Sequence, residues 1–154
     1  FFIGTGNYQH ESVSSLAKKH GLHNVTEIRE RFPYTHILSF LQKAFRVLVI
    51  GSTEPHYTAS KLFQGLLSQN PLMAIFHERS TAKYILDEVE ANRYFVGYNE
   101  HMSRDELTLS ISDCLMRFLD TETLWDPLLD KLDCYSSKKS AHAMADVLSK
   151  IIQQ

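Results

Sequence analysis

RVLVIGSTEPHYTASKLFQGLLSQNPLMAIFHE, residues 46–78, is the stretch on which the fold turns. RVLVIG is a short apolar run rich in β-branched residues, the pattern of a buried strand. From Thr58 the apolar residues Leu62, Phe63, Leu66 and Leu67 recur at helical spacing and define one core-facing side. Asn70-Pro71 stops that helix, with Asn70 in the position of a left-handed cap. LMAIFHE is then a second buried strand. Two apolar strands joined by one helix predict a βαβ unit and hence a parallel sheet.

The same alternation extends in both directions. FFIG opens the chain as a strand and ends in Gly4-Thr5-Gly6. Val13, Leu16 and Ala17 support a helix closed by His20-Gly21. NVTEIRE alternates as a strand does, and Ile37, Leu38, Phe40 and Leu41 follow Pro33 as a helix. Beyond residue 78, Ser80 caps a helix carrying Ala82, Ile85, Leu86 and Val89, and YFVGY is the last strand. After Asn99 the pattern is helical, with breaks near Asp126-Pro127 and at Ser136. Leu107, Ile111, Leu115 and Phe118 form a core-facing cover. Tyr94, Phe95 and Tyr98 are read as strand packing and Trp125 as partly exposed toward a partner domain. The expected architecture is a three-layer, Rossmann-like α/β sandwich of about five parallel strands with helices on both faces. The 154 residues fit a single domain.

Ligands of such sheets bind at the carboxyl ends of the strands. The loops that matter are therefore Gly4–Tyr8, Arg31–Tyr34, Gly51–Ser60 and His77–Ser80. Thr58, Ser60 and Lys61 stand in the first turn of the central helix, although the helix dipole favours lysine at the other end. Free amide hydrogens, two hydroxyls and a mobile cation suit a phosphate or diphosphate. The plain alternative is an N-cap threonine beside a solvated lysine.

Composition narrows the classes. The chain is 44% hydrophobic and 22% charged, with a net charge of −2. No concentrated basic run supports nucleic-acid binding. Cys114 and Cys134 fit no metal-ligand spacing and read as reduced, cytoplasmic thiols. No apolar run approaches the roughly 18–20 residues of a membrane span. Phe1 stands where an initiator methionine would, so the chain reads as an excised piece. The Gly4-Thr5-Gly6 turn invites a dinucleotide reading with Glu27 on the ribose, but Gln9 occupies the place of the third glycine. A Walker A loop is absent. His20, His23 and the His77-Glu78 pair lack partners at ligand spacing and are read as surface or capping residues.

FFIGTG, then VTEIRERFPYTHILSFLQKAFRVLVIGSTEP, then TASKLFQGLLSQNPLMAI, together resemble the carboxyl-terminal half of GT-B glycosyltransferases of the family-four type. The resemblance spans roughly residues 1–98, and YSSKKSAHAMADVLSKII resembles the family's closing helix. It implies a nucleotide-sugar donor site, with the nucleotide-sugar a substrate and no separate cofactor or metal. Thr58, Ser60 and Lys61 would meet the diphosphate, and Gln64 the ribose. Arg31, Phe32 and Tyr34 would border the nucleobase, and Gly4 and Gly6 would let the first loop approach the donor. Glu54 and His56 would lie near the sugar as catalytic candidates. The family's paired glutamates, eight residues apart, are here His56 and Gln64. The opening βα unit and the acceptor domain would precede Phe1, and any peripheral membrane contact would belong to them. A GT-B-like nucleotide-sugar epimerase and a non-catalytic nucleotide-binding or interaction domain are the alternatives.

Overall fold

The computed structural model describes residues 1–3, 11–52, 54–57, 60–120 and 124–152. The chain divides into two compact units, Phe1–Phe40 and Leu41–Gln154.

In the first unit, β1 (Phe2–Ile3) pairs in parallel with β2 (Glu27–Ile28). Between them runs α1 (Val13–Lys19). Ser12 caps its start, the hydroxyl accepting from the Ser15 amide at 3.0 Å. Its end is closed as the His20-Gly21 pair predicts. Gly21 takes φ 73°, and the Leu22 amide donates back to the Ala17 carbonyl at 2.9 Å; this left-handed turn favours glycine. The Glu27 carboxylate accepts from the Ser14 amide at 3.1 Å, in the first turn of α1. It is nearly fully buried, so it serves the helix end rather than standing open for a ribose. The helix α2 (Tyr34–Lys43) follows and runs into the second unit.

The second unit is built on the parallel sheet β3 (Val47–Ile50), β4 (Leu72–His77) and β5 (Phe95–Tyr98), in that order. Two successive right-handed crossovers in one direction place α3 (Ser60–Leu67) and α4 (Thr81–Glu88) on the same face. The alternation of β4 shows it. Leu72, Ala74 and Phe76 join Val47, Val49, Leu62, Leu66, Ile85 and Leu86 in one core. Met73 and Ile75 face the other way and join Val96, Tyr94, Cys114 and Phe118, the last two from α5 (Arg104–Leu119). The unit is therefore layered helix, sheet, helix, with β4 buried on both sides. A 3-10 turn (Leu129–Tyr135) leads to α6 (Ser137–Ile152), which buries none of its residues.

Parallel α/β organisation is thus present. Among the described residues, however, the five strands form ladders of two and three rather than one sheet. Four finer readings change. RVLVIG is not buried throughout: Leu48 and Ile50 are exposed, because only one face of β3 meets α3. Leu67 is 61% exposed, and Gly65 fills the core side instead. A Cβ there would stand 2.5 Å from Leu72 Cδ1, so the absent side chain lets α3 approach the sheet. The left-handed residue after α3 is Gln69, at φ 62°, not Asn70. Asn70 instead donates its side-chain amide to the Leu41 carbonyl at 2.7 Å. On α5 the buried stripe runs through Cys114 while Leu115 turns outward. Trp125 packs between the two cores, stacked on Tyr94 at 6.3 Å.

Candidate functional site

The carboxyl ends of β3, β4 and β5 form one edge of the three-stranded sheet, where parallel sheets place their ligands. The loop after β3 carries Glu54 and His56, both exposed. It is held by short local bonds: the Glu54 amide donates to the Ser52 hydroxyl at 3.1 Å, and the Tyr57 amide to the Glu54 carbonyl at 3.2 Å. The Tyr98 hydroxyl, from the end of β5, donates to the Ser52 carbonyl. Burial raises the pKa of that phenol, so it remains a donor across the ordinary pH range. Strand ends and loop are thereby tied together.

The helix α3 starts at this edge with Ser60 and Lys61 exposed and Gln64 half-buried one turn on. Glu54, His56, Ser60, Lys61 and Gln64 therefore share one loop-helix segment. Gly4, Gly6 and Thr58 lie outside the described residues. Arg31, Phe32 and Tyr34 belong to the first unit. There Arg31 and Tyr34 are exposed. The Phe32 ring meets Phe40 edge-on at 5.6 Å, and its role in that unit is to anchor α2.

The same edge holds a cluster that the motif reading did not single out. His77 ends β4 and is only 2% exposed. Its Nδ1 accepts from the Arg79 amide at 3.1 Å. The proton of the neutral ring is therefore on Nε2. Nε2 is buried without a hydrogen bond and lies 3.4 Å from Glu100 Oε1, the carboxylate that also pairs with the Arg79 guanidinium. Tyr98 stands edge-on to the imidazole at 5.8 Å. The expectation of a surface or capping histidine is not met: His77 is buried, and its bond to the Arg79 amide closes the turn before α4 rather than capping the helix, whose N-cap is Ser80.

Glu100 and Arg79, with Glu78, Asn99 and His101, line an open depression of about 410 Å³. The Asn99 amide donates to Glu78 Oε2 at 3.0 Å. Carboxylate acceptors beside guanidinium and amide donors can bind a hydroxyl-rich ligand from both sides. What signalled the cluster in the sequence is a histidine closing an otherwise apolar strand, followed at once by Glu-Arg-Ser. Its partners, Asn99 and Glu100, come from the next strand end, twenty-one residues further along in each case.

The Glu100 carboxyl is held below the usual glutamate range, first by its own backbone amide; burial opposes this as the next largest effect, and the Arg79 guanidinium and His77 lower it further. Its contribution to stability is therefore present above the unfolded-state pKa and is lost as the pH falls through the lower folded value. Carbon-13 NMR titration of the side-chain carboxyl should show this midpoint depressed in the wild type and restored toward the ordinary value in Arg79→Gln. An ordinary Glu100 midpoint in the wild type would contradict the pairing.

Among the described residues no three His, Cys, Asp or Glu side chains gather to hold a metal ion, and no helix is long and apolar enough to cross a membrane. Cys114 and Cys134 are free thiols, the first buried and the second exposed. No protein-family model, no curated protein and no solved structure matches the chain.

Proposed function

We propose that the chain is the donor-binding part of a GT-B-like glycosyltransferase, which transfers a sugar from a nucleoside diphosphate to an acceptor held elsewhere. The observation that carries this reading is the parallel β3–α3–β4 unit, whose helix begins at the carboxyl edge with Ser60 and Lys61. Amide hydrogens at that end and the Lys61 ammonium would stabilise the departing diphosphate, where negative charge grows in the transition state. Gln64 would address the ribose; Arg31, Phe32 and Tyr34, which the resemblance assigns to the base, belong to the first unit. Glu54 and His56, on the loop before α3, are the candidates nearest the sugar. Gly4, Gly6 and Thr58 complete the set that the family resemblance suggests. The donor is a substrate, so the reading requires neither a cofactor nor a metal.

Titration calorimetry of the chain with UDP, GDP and NAD tests the class. Weak binding of UDP or GDP is expected, with no detectable binding of free sugar. Tight binding of NAD in place of a nucleoside diphosphate would overturn the reading. A non-catalytic nucleotide-binding domain is the second reading. It is favoured by His56 and Gln64 in place of the family's paired carboxylates. Binding without turnover in the full-length protein would select it, and product analysis there separates a transferase from an epimerase.

Gln64 supplies a sharper test. Gln64→Glu should keep or strengthen binding of a ribonucleotide, because a carboxylate accepts from both ribose hydroxyls. It should help the 2′-deoxynucleotide far less. Equal effects on the two ligands, measured by calorimetry, would remove Gln64 from the ribose site.

A further inference from the structure

The closing helix α6 belongs to neither core, and every residue from Ser137 to Ile152 is exposed. Met144, Val147, Leu148, Ile151 and Ile152 are between 53% and 84% exposed. At 3.6 residues per turn these five side chains and Ala141 share an arc of about 140°. Ser137 and Ser140, near the start of the helix, are the polar residues within that arc. The rest of the circumference carries Lys138, Lys139, His142, Asp146, Ser149 and Lys150. Lys138 borders the apolar arc on one side, and Lys150 with Lys139 on the other. Asp146, the one carboxylate of the helix, lies on the side opposite the apolar arc.

A helix of this length is marginal in water unless its apolar face is buried. Here the face is present, and among the described residues nothing covers it. Single exposed apolar residues are ordinary on a protein surface, whereas a contiguous stripe of five marks a contact with something else.

The charges distinguish what that contact is. When two helices pair through an apolar stripe, the residues bordering it meet across the contact. Both borders of α6 carry lysine and neither carries a carboxylate, so a second copy would set like charges together. Lys139 reaches Asp133 at 4.0 Å, and among the described residues Lys138 and Lys150 have no ion pair. A partner protein would need acidic groups along both rims of a groove about 24 Å long. A bilayer containing anionic lipid offers an apolar interior and negative headgroups over its whole plane. Lysine stems beside an apolar stripe can lie along it while their ammonium groups reach those headgroups.

We propose that α6 lies in the plane of a membrane surface that contains anionic lipid. Met144, Val147, Leu148, Ile151 and Ile152 enter the acyl boundary, and Lys138, Lys139 and Lys150 stand at the headgroups. The helix rests on the bilayer and does not cross it: about 24 Å falls short of the roughly 30 Å hydrocarbon core. This surface is separate from the carboxyl edge of the sheet and does not depend on the function proposed there.

Co-sedimentation of the 154-residue chain with phosphatidylcholine vesicles, with and without phosphatidylserine, tests it. Retention is expected with phosphatidylserine, little without it, and less at high sodium chloride concentration. Lys138→Gln with Lys150→Gln should weaken binding by about fivefold for each lysine, or roughly 25-fold together. Leu148→Gln with Ile151→Gln should abolish retention. Glutamine keeps the helix propensity of these positions, and all four side chains are exposed outside both cores. Both double variants should therefore melt close to the wild type.

The proposal is overturned if the wild type is not retained, or is retained equally without phosphatidylserine. It is overturned as well if Leu148→Gln with Ile151→Gln binds as the wild type does. A dimer in analytical ultracentrifugation that this variant abolishes, with no vesicle retention of the wild type, would assign the face to a second copy instead.

Discussion

Phe76→Ala should cost about 3–5 kcal/mol of stability, the scale for removing a buried aromatic ring. Phe76 is 1% exposed and sits on the carboxyl half of β4, in the core shared with α3 and α4. Its ring also fills the space above Gly51. A Cβ on Gly51 would meet Phe76 Cδ1 at 2.3 Å, so ring and backbone are in close contact at the start of the β3–α3 loop. The cavity left by alanine cannot close without moving that loop or the sheet. Typical domains have a margin of only about 5–15 kcal/mol, so the variant should unfold at much lower urea concentration. Urea denaturation followed by far-UV circular dichroism measures the loss. A cost below about 1 kcal/mol would mean that the ring is not packed as described. The ring lies under the loop bearing Glu54 and His56, so any ligand affinity of that loop should fall with stability.

Lys61→Ala should weaken UDP or GDP binding by about 1–3 kcal/mol, or roughly 5- to 150-fold, the scale of a charge-assisted hydrogen bond. Lys61 is exposed at the start of α3 and belongs to neither core. The melting curve should therefore stay close to that of the wild type. Calorimetry with UDP and GDP separates the outcomes. Unchanged affinity with an unchanged melt would show that Lys61 is a solvated helix residue and not a phosphate ligand. Lys61→Arg should retain more affinity than alanine, because the charge remains even though the geometry of the donor changes.

Local signals in the sequence were sufficient to locate most elements. Gly21 ended α1 because the turn there needs a positive φ. The pattern after Asn99 is read only as helical; the structure opens α5 at Ser103, whose hydroxyl and the Glu106 carboxylate satisfy each other's neighbouring amides. The apolar run of β4 identified the central strand, since a strand covered on both faces has no polar side. That the loops after β3 and β4 leave the same edge of the sheet was legible for a related reason: strand direction in a parallel sheet fixes which loops gather there.

Which neighbours those elements would meet depended on the tertiary structure. RVLVIG is apolar throughout, yet only Val47 and Val49 are covered, because α3 packs on one face of β3 alone. Leu67, expected in the core, is exposed, and Gly65 lies on the core side, where the close approach of α3 to Leu72 leaves no room for a larger residue. His77 with Glu100, and Tyr94 with Phe118, are separated in the chain and have no motif spacing. They meet because β5 lies beside β4 and α5 returns across the sheet. Periodicity and capping are properties of neighbours along the chain, so the sequence alone determined the α/β alternation, the end of α1 and the βαβ unit around α3. Burial of a polar atom depends on what packs over it from elsewhere, so the tertiary structure alone decided that His77 and Tyr94 are enclosed with polar atoms unsatisfied.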